Sequence, residues 1–101
     1  HQDHRAVNEA VLLAFRPNCG IEGLHTFEIC GTSQNFNPNY FINIKKHWDK
    51  KVEAFLCYET EVKQFPHPTS VEHLEAMAKV RGAMIGVEKA ECFHTVYSIE
   101  D

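Results

Sequence analysis

The first four residues of the chain, HQDH, contain two imidazoles and one carboxylate, which are side chains that bind zinc. Zinc takes neutral histidine and carboxylate ligands at about 2 Å, and a catalytic site keeps its fourth position for water. His1, Asp3 and His4 are too close together in the sequence to surround one ion. They predict one or two ligands of a zinc site, with the other members in supporting positions and the missing ligands supplied from elsewhere.

The same four residues can also be explained without a metal site or a catalytic role. A short H-x-D-H string arises by chance, and histidines at a chain start often remain from an expression tag. The other histidines are scattered along the sequence, and we expect each to be a surface or core residue rather than a ligand. They are His25, His47, His67, His73 and His94.

The predicted helix that follows the HQDH cluster determines where the side chains of the cluster point. Val7, Val11 and Ala14 recur at helical spacing and form one apolar stripe. Three residues before Val7 this stripe reaches His4, so His4 is predicted to lie in the first turn and to point toward the buried side. Asp3 is a favourable N-cap residue. Its carboxylate therefore has a structural role open to it as well as a role beside a metal.

The rest of the chain alternates between helical and strand patterns. The predicted helices span residues 4–15, residues 48 to about 62, and a segment that starts near Ser70; the predicted strands span residues 23–30, 40–44 and 92–99. Thr69 and Glu72 have capping-box spacing at the start of the last helix, and Gly82 within it predicts close packing. Because helices alternate with strands, the expected fold class is α/β.

The length, charge and cysteine spacing of the chain argue against several classes of protein. The 101 residues suffice for one domain. A net charge of -4 without any basic run argues against nucleic acid or an anionic membrane as a partner, and no apolar run approaches the length of a membrane span. The four cysteines are widely spaced and form no C-x-x-C pair. Scattered cysteines without a signal peptide predict a reducing compartment and thus a cytoplasmic protein.

Four segments of the chain, taken in order, match the motifs of one protein family. They are HQDHRAVNEAVLLAFRP, HTFEICGTS, FNPNYFINI and the segment over residues 50–93. In this order, they resemble four parts of the LmbE-like, or PIG-L, family of zinc-dependent de-N-acetylases. These parts are the family's second motif, a strand with its serine- and threonine-rich loop, the F-x-P-N-x-F-V-D-I segment and the C-terminal elements. The resemblance covers essentially all of the chain. It implies the C-terminal part of a Rossmann-like three-layer fold, with three helices and about three short strands.

The resemblance also implies an activity, which is removal of an N-acetyl group from an amino sugar or its conjugate with Zn²⁺ as cofactor. The family's A-H-P-D-D-E motif supplies two ligands and the general base, and it does not occur here. Residues 1–101 are therefore expected to be a partial deacetylase domain that is inactive alone. By the match, His4 is the third zinc ligand, His1 stabilises the oxyanion or acts as acid, and Asp3 is a supporting carboxylate. Family members are often oligomeric, which makes a homo-oligomer a further expectation.

The sequence departs from the family pattern at several positions. YETE replaces YESQ at residues 58–61, and Thr69, Met84 and Lys89 replace an arginine, a glutamine and a tyrosine. These changes leave the identity of the acetylated substrate and the assembly open. Arg81 and Glu91 do fit the pattern, and for each we expect a structural salt bridge, with substrate contact as the alternative.

A second hypothesis assigns no catalysis to the chain. An α/β module derived from that family could keep the core and the interaction surfaces without two zinc ligands and the base. Such a chain would act as a subunit or a binding module.

Overall fold

The computed structural model describes residues 2–15, 20–29 and 35–100 of the 101-residue chain. This part of the chain contains three α-helices and three β-strands. The helices are α1 (Gln2–Ala14), α2 (Trp48–Leu56) and α3 (Val71–Ile85); the strands are β1 (Gly23–Phe27), β2 (Tyr40–Asn43) and β3 (Ala90–Ser98). A 3-10 turn, Lys45–His47, leads into α2. The predicted α/β class with three helices and three short strands is confirmed.

The strands form one antiparallel sheet in the order β1–β3–β2, so the last strand of the chain lies in the middle. Phe27 of β1 and Tyr40 of β2 both lie opposite Phe93 of β3. Ala90, the first residue of β3, lies opposite Asn43, the last residue of β2. The chain therefore re-enters the sheet beside the point where β2 ends.

The prediction of a Rossmann-like sheet is wrong for the described strands. A Rossmann sheet is mostly parallel, whereas both pairings here are antiparallel. The reason lies in the connection between β2 and β3. One crossover helix returns the chain to the starting end of a strand and gives a parallel neighbour, but two helices, α2 and α3, separate β2 from β3. The second helix brings the chain back to the finishing end of β2, so β3 runs in the opposite direction.

Both ends of α3 are set by specific residues. Its N-cap is Ser70, whose Oγ accepts a hydrogen bond from the backbone N–H of His73 at 3.2 Å. The capping box predicted on Thr69 is wrong by one residue, because the fully buried Ser70 side chain makes the capping bond. Gly86 follows the last turn with a φ of 78°, the left-handed conformation that glycine adopts at little cost.

Gly82 lets α3 approach the turn that leads into β3. Its carbonyl oxygen accepts a hydrogen bond from the N–H of Val87 at 2.9 Å. A Cβ on Gly82 would lie only 2.5 Å from the carbonyl oxygen of Val87, so the predicted close packing is confirmed. The buried apolar residues of the described chain are Ile44, Ala78, Ala90 and Cys92.

Two predicted elements are shorter in the structure. The helix expected to reach residue 62 ends at Leu56. The N–H groups of Cys57 and Tyr58 bond to carbonyls three residues back, which tightens the last turn and closes the helix. The strand expected over 23–30 ends at Phe27, and Cys30 lies outside the described residues.

The helix α1 departs most from expectation. It begins at Gln2, so Asp3 lies in the first turn rather than at the N-cap. None of its residues is buried, and Val7 of the predicted apolar stripe keeps 62% of its surface exposed. His4 is exposed as well, so the prediction that it points toward a buried side is wrong for this chain. No other described helix or strand makes an extensive contact with α1.

Candidate functional site

The predicted zinc cluster lies at the start of α1. His1 is outside the described residues, and Asp3 and His4 occupy consecutive positions in the exposed first turn. Consecutive residues of an α-helix are about 100° apart around the axis, so their side chains do not face a common point. The helix therefore favours His4 as a single ligand, with Asp3 beside it rather than on the same ion.

The described residues do not complete a zinc site. Across residues 2–15, 20–29 and 35–100, no group of three His, Cys, Asp or Glu residues is placed to hold a metal ion. An exposed imidazole such as that of His4 is a suitable zinc donor, but a catalytic zinc needs three protein ligands. The other ligands of the predicted site have to come from outside this part of the chain.

A different set of chemically active side chains lines a cleft of about 210 Å³ between α3 and the sheet. The cleft lies beside the first residues of β3, which pair with β2 but lie beyond the last pairing with β1. Leu74, Met77 and Ala78 of α3 give it an apolar wall. Four charged side chains also line it: Glu28, Lys51, Arg81 and Glu91.

Arg81 and Glu28 form the central ion pair of this cleft. The Arg81 Nη2 atom lies 2.7 Å from Oε2 of Glu28, and Arg81 Nε donates a hydrogen bond to the same oxygen at 2.9 Å. Each side chain is only 18% exposed, so the pair is largely withdrawn from water. The Cζ atom of Arg81 also lies 6.0 Å from the ring centroid of Phe36, a cation–π distance. The arginine is therefore held in one position by several contacts.

Cys92 shares the same carboxylate oxygen. Its Sγ donates a hydrogen bond to Oε2 of Glu28 at 3.3 Å. Burial, together with the hydrogen bond to Glu28 and the negative charge of that carboxylate, raises the pKa of the Cys92 thiol from 9.0 to about 11. Arg81 opposes this shift, and the Glu91 charge adds to it. At neutral pH the thiol is protonated and is a poor nucleophile.

The second ion pair of the cleft joins α2 to the central strand. Lys51 Nζ lies 2.5 Å from Oε1 of Glu91. Arg81 and Glu91 were both expected to form structural salt bridges, and both do, with Glu28 and Lys51 as their partners. Since both also line the cleft, substrate contact stays an open alternative for each.

Sequence analysis did not single out Glu28, Lys51 or Cys92. A signal for Glu28 was present in the alternation of the strand, because Phe27 lies opposite Phe93 in the last pairing of β1 with β3, and Glu28 follows it within hydrogen-bond reach of Cys92. This signal can be interpreted only once the register of β1 against β3 is known. No local pattern connects Lys51 to Glu91, which lie 40 residues apart.

The opposite face of the sheet carries aromatic side chains. Successive residues of a strand point to opposite faces, and Cys92 and Ala90 are buried on the side of α3. Phe27, Tyr40 and Phe93 therefore share the other side with Glu91, and Phe27, Phe93 and Glu91 also border the cleft at the sheet edge. The rings of Tyr40 and Phe93 meet edge to face at 6.4 Å between centroids. Phe27 keeps 66% of its surface exposed and Tyr40 keeps 49%, so the described chain leaves this face largely uncovered.

Two histidines of the sheet take structural positions. His25, exposed on β1, has its Nδ1 atom 2.9 Å from Oγ1 of Thr95, and its ring lies 5.3 Å from that of Tyr40. His94 Nδ1 lies 3.0 Å from the carbonyl oxygen of Asn37. Within the described residues, neither belongs to a group of three side chains placed to hold a metal ion.

Loss of the Arg81–Glu28 pair should destabilise the fold measurably. Glu28→Gln and Arg81→Met should each lower the free energy of unfolding by about 1–3 kcal/mol, because a largely buried charged group is left without its hydrogen-bonding partner. The measurement is denaturant unfolding of both single variants and the double variant. The double variant should lose less than the sum of the two, since the pair is broken only once.

The matched control is an exposed pair on the same helix, Glu75 and Lys79, whose charged atoms lie 3.4 Å apart. Glu75→Gln and Lys79→Met should each cost no more than about 0.5 kcal/mol. Equal losses at the two pairs would contradict the importance of burial for the Arg81–Glu28 pair.

Comparisons with known proteins add no assignment. No family model, no curated protein and no solved structure matches the chain. Within the described residues, no helix is both long enough and apolar enough to cross a membrane.

Proposed function

We propose that this sequence supplies one part of the active site of a zinc-dependent hydrolase that removes an N-acetyl group from an amino sugar or its conjugate. The proposal rests on the ordered resemblance of the four segments to the de-N-acetylase motifs. The observation that carries it in the structure is the exposed position of His4 in the first turn of α1, where an ion held by other residues can reach its imidazole. Any Rossmann-like part of such an enzyme would lie outside the three described strands.

Each residue of the cluster has a distinct role in this proposal. When bound, zinc supplies a water that ionises near neutral pH and attacks an acetamide carbonyl. His4 would hold the ion as one of three protein ligands. A protonated His1 would stabilise the negative charge on the carbonyl oxygen and then protonate the departing amine. Asp3 would orient an imidazole and favour its charged form.

The proposal extends to partners and location. The expected partner is an N-acetylated amino sugar conjugate, with neither nucleic acid nor a membrane as partner, in keeping with the net charge of -4. The proposed protein is a homo-oligomer in the cytoplasm. The two described cysteines, Cys57 and Cys92, are free thiols, which fits a reducing compartment.

A non-catalytic interaction module is the second candidate function. Two observations favour it: the uncovered aromatic face of the sheet and the absence of any buried residue in α1. Both are surfaces that a partner could cover. In this alternative, the HQDH cluster has no role in catalysis.

The isolated 101-residue chain, tested with added zinc, shows whether its zinc site is partial or complete. We expect no deacetylation of N-acetylglucosamine conjugates and only weak zinc binding by calorimetry, because one firm ligand cannot complete a tetrahedral site. Tight one-to-one binding that His4→Ala abolishes would mean that the chain carries a complete site. Turnover by the pure chain would overturn the partial-site proposal.

The coding sequence upstream of His1 is the second part of the test. An open frame with A-H-P-D-D-E, whose product deacetylates such conjugates, would support the enzyme. A start codon directly before His1 would support the interaction module.

A further inference from the structure

The cleft between α3 and the sheet has the form of a binding site for a small molecule. Its floor is buried, since Ala78, Ala90 and Cys92 are all buried, whereas Phe27 at its rim is exposed. Sites for small molecules are concave and mostly apolar, with a few polar groups that fix the orientation of the ligand. The cleft volume of about 210 Å³ is below the roughly 300–1,000 Å³ of sites for drug-sized molecules. A ligand of this cleft is therefore smaller than a drug-sized molecule.

The charges of the described side chains that line the cleft cancel one another. Glu28 and Glu91 each carry a negative charge, and Lys51 and Arg81 each carry a positive charge. The Cys92 thiol is protonated at neutral pH and adds no charge. Because an unpaired charge is costly to withdraw from water, a ligand with a net charge would upset this balance. A ligand with one charge of each sign would preserve it.

Both ion pairs of the cleft keep hydrogen-bonding capacity for a ligand. The hydrogen bonds that Arg81 and Cys92 donate to Glu28 meet its Oε2 atom, which leaves Oε1 for another donor. The ammonium group of Lys51 has three N–H donors, and its contact with Oε1 of Glu91 uses one of them. The cleft thus offers a carboxylate oxygen to a donor and N–H groups to an acceptor.

We propose that the cleft binds a free α-amino acid with an aliphatic side chain. The ammonium group of the ligand donates a hydrogen bond to Oε1 of Glu28, and its carboxylate accepts one from Nζ of Lys51. Its side chain packs against the apolar wall that includes Leu74 and Met77. The ligand then links the two ion pairs in a row of alternating charges. The inference does not depend on the proposed hydrolase activity.

The orientation of the ligand follows from the contacts that the cleft residues already make. Arg81 is held by Glu28 and lies 6.0 Å from the ring centroid of Phe36, and its side chain is only 18% exposed. Lys51 is 30% exposed and is the more accessible cation, so it receives the carboxylate. An ammonium group at Glu91 would compete with Lys51 for that residue. The ammonium group of the ligand therefore binds Glu28, the carboxylate of the other ion pair.

The two methionines of the chain report on the cleft by nuclear magnetic resonance. Met77 lines the cleft, whereas Met84, exposed on the same helix, lies outside it. In the full 101-residue chain with carbon-13 methionine methyl groups, L-leucine should shift the Met77 signal with a dissociation constant of about 1 mM or below. The Met84 signal, assigned with Met84→Leu, should stay in place. Signals that move together, or that both stay in place at about 10 mM L-leucine, would overturn the proposal.

Three analogues test which parts of the amino acid the cleft recognises. L-leucinamide lacks the carboxylate, 4-methylpentanoate lacks the ammonium group, and glycine lacks the aliphatic side chain. Each should bind at least about tenfold more weakly than L-leucine, because each leaves one part of the cleft without its partner. If any of the three binds as tightly as L-leucine, the cleft does not recognise the complete amino acid and the proposal fails.

A substitution of Lys51 tests its assigned contact with the ligand carboxylate. Lys51→Gln should weaken binding of L-leucine at least about tenfold but should not weaken binding of L-leucinamide, which has no carboxylate. The matched control is Lys45→Gln, which breaks an exposed ion pair with Glu88 at 3.1 Å and should leave both ligands unaffected.

A purely structural role of Lys51 would give a different result. Lys51→Gln would then weaken both ligands to the same degree, and this outcome, or no effect on either ligand, would contradict the proposed contact. Circular dichroism shows whether the variant folds. If it does not fold, the comparison of the three analogues on the unaltered chain decides the proposal.

Discussion

Under the proposed hydrolase function, replacing His4 with alanine in the zinc-loaded enzyme is expected to remove the bound zinc, whereas replacing His1 is expected to leave the zinc and slow the reaction. Loss of a ligand should weaken zinc binding by far more than the roughly 10–100-fold expected for an outer-shell partner. Loss of one charge aimed at the oxyanion should lower turnover by about 10²–10³-fold. Substrate binding should change little in His1→Ala, because that interaction forms mainly in the transition state.

The measurements are zinc content and steady-state kinetics of both variants. His47→Ala is the matched control, since His47 is exposed and lies outside the cluster, in the 3-10 turn before α2. If His1→Ala loses zinc and His4→Ala keeps it, the two roles are reversed. If neither variant differs from His47→Ala, the HQDH cluster has no catalytic role, and the interaction module becomes the better account.

Local patterns in the sequence were sufficient for the elements but not for the direction of the strands. The predicted strand at residues 40–44 and the helix starting near Ser70 lie where the structure has β2 and α3. Strand-favouring residues predicted the one and helical periodicity the other, which are short-range signals, although the cap is Ser70 rather than the predicted Thr69. Strand direction depends instead on the number of helices between β2 and β3 and on where the chain re-enters the sheet. No window of local sequence contains that information.

Local sequence patterns were also insufficient to predict the ion pair of the candidate site. A salt bridge at Arg81 was expected because the residue fits the pattern of the family that the chain resembles. Its partner, Glu28, is 53 residues away and becomes its neighbour only through the register of β1 on β3. The stripe on α1 was recognised correctly as apolar, but its burial was wrongly assumed, since periodicity predicts that a face should be covered and cannot say what covers it.

Cys92 is expected to react with iodoacetamide at least about 100-fold more slowly at pH 8 than a thiol with an unperturbed pKa. The thiolate is the reacting species, and raising the pKa from 9.0 to about 11 lowers its population by about that factor at any pH well below 9. Burial of the side chain, which is 6% exposed, slows access further. Cys57, which is exposed on the same chain, is the internal comparison and should label quickly.

The pH dependence of the labelling rate reports the direction in which the pKa of Cys92 is shifted. Because the pKa of Cys92 is raised, its thiol stays protonated through the range in which an ordinary thiol ionises. The labelling rate of Cys92 should therefore rise about tenfold for each pH unit and should not level off below about pH 10. Labelling is followed peptide by peptide with mass spectrometry, which separates Cys92 from the other cysteines. A plateau by pH 9 would contradict the raised pKa.

Two substitutions distinguish the pKa from simple loosening of the fold. Glu28→Gln removes the negative charge that raises the pKa of Cys92, and Arg81→Gln removes the positive charge that lowers it. Both break the same ion pair and should destabilise the cleft to a similar degree. The pH at which labelling reaches half its maximum rate should fall in Glu28→Gln and rise in Arg81→Gln, with Glu59→Gln at an exposed position as a neutral control. If both cleft variants only speed up labelling, with no opposite shift in pH, Cys92 is protected by packing alone, and the Glu28 carboxylate does not control its ionisation.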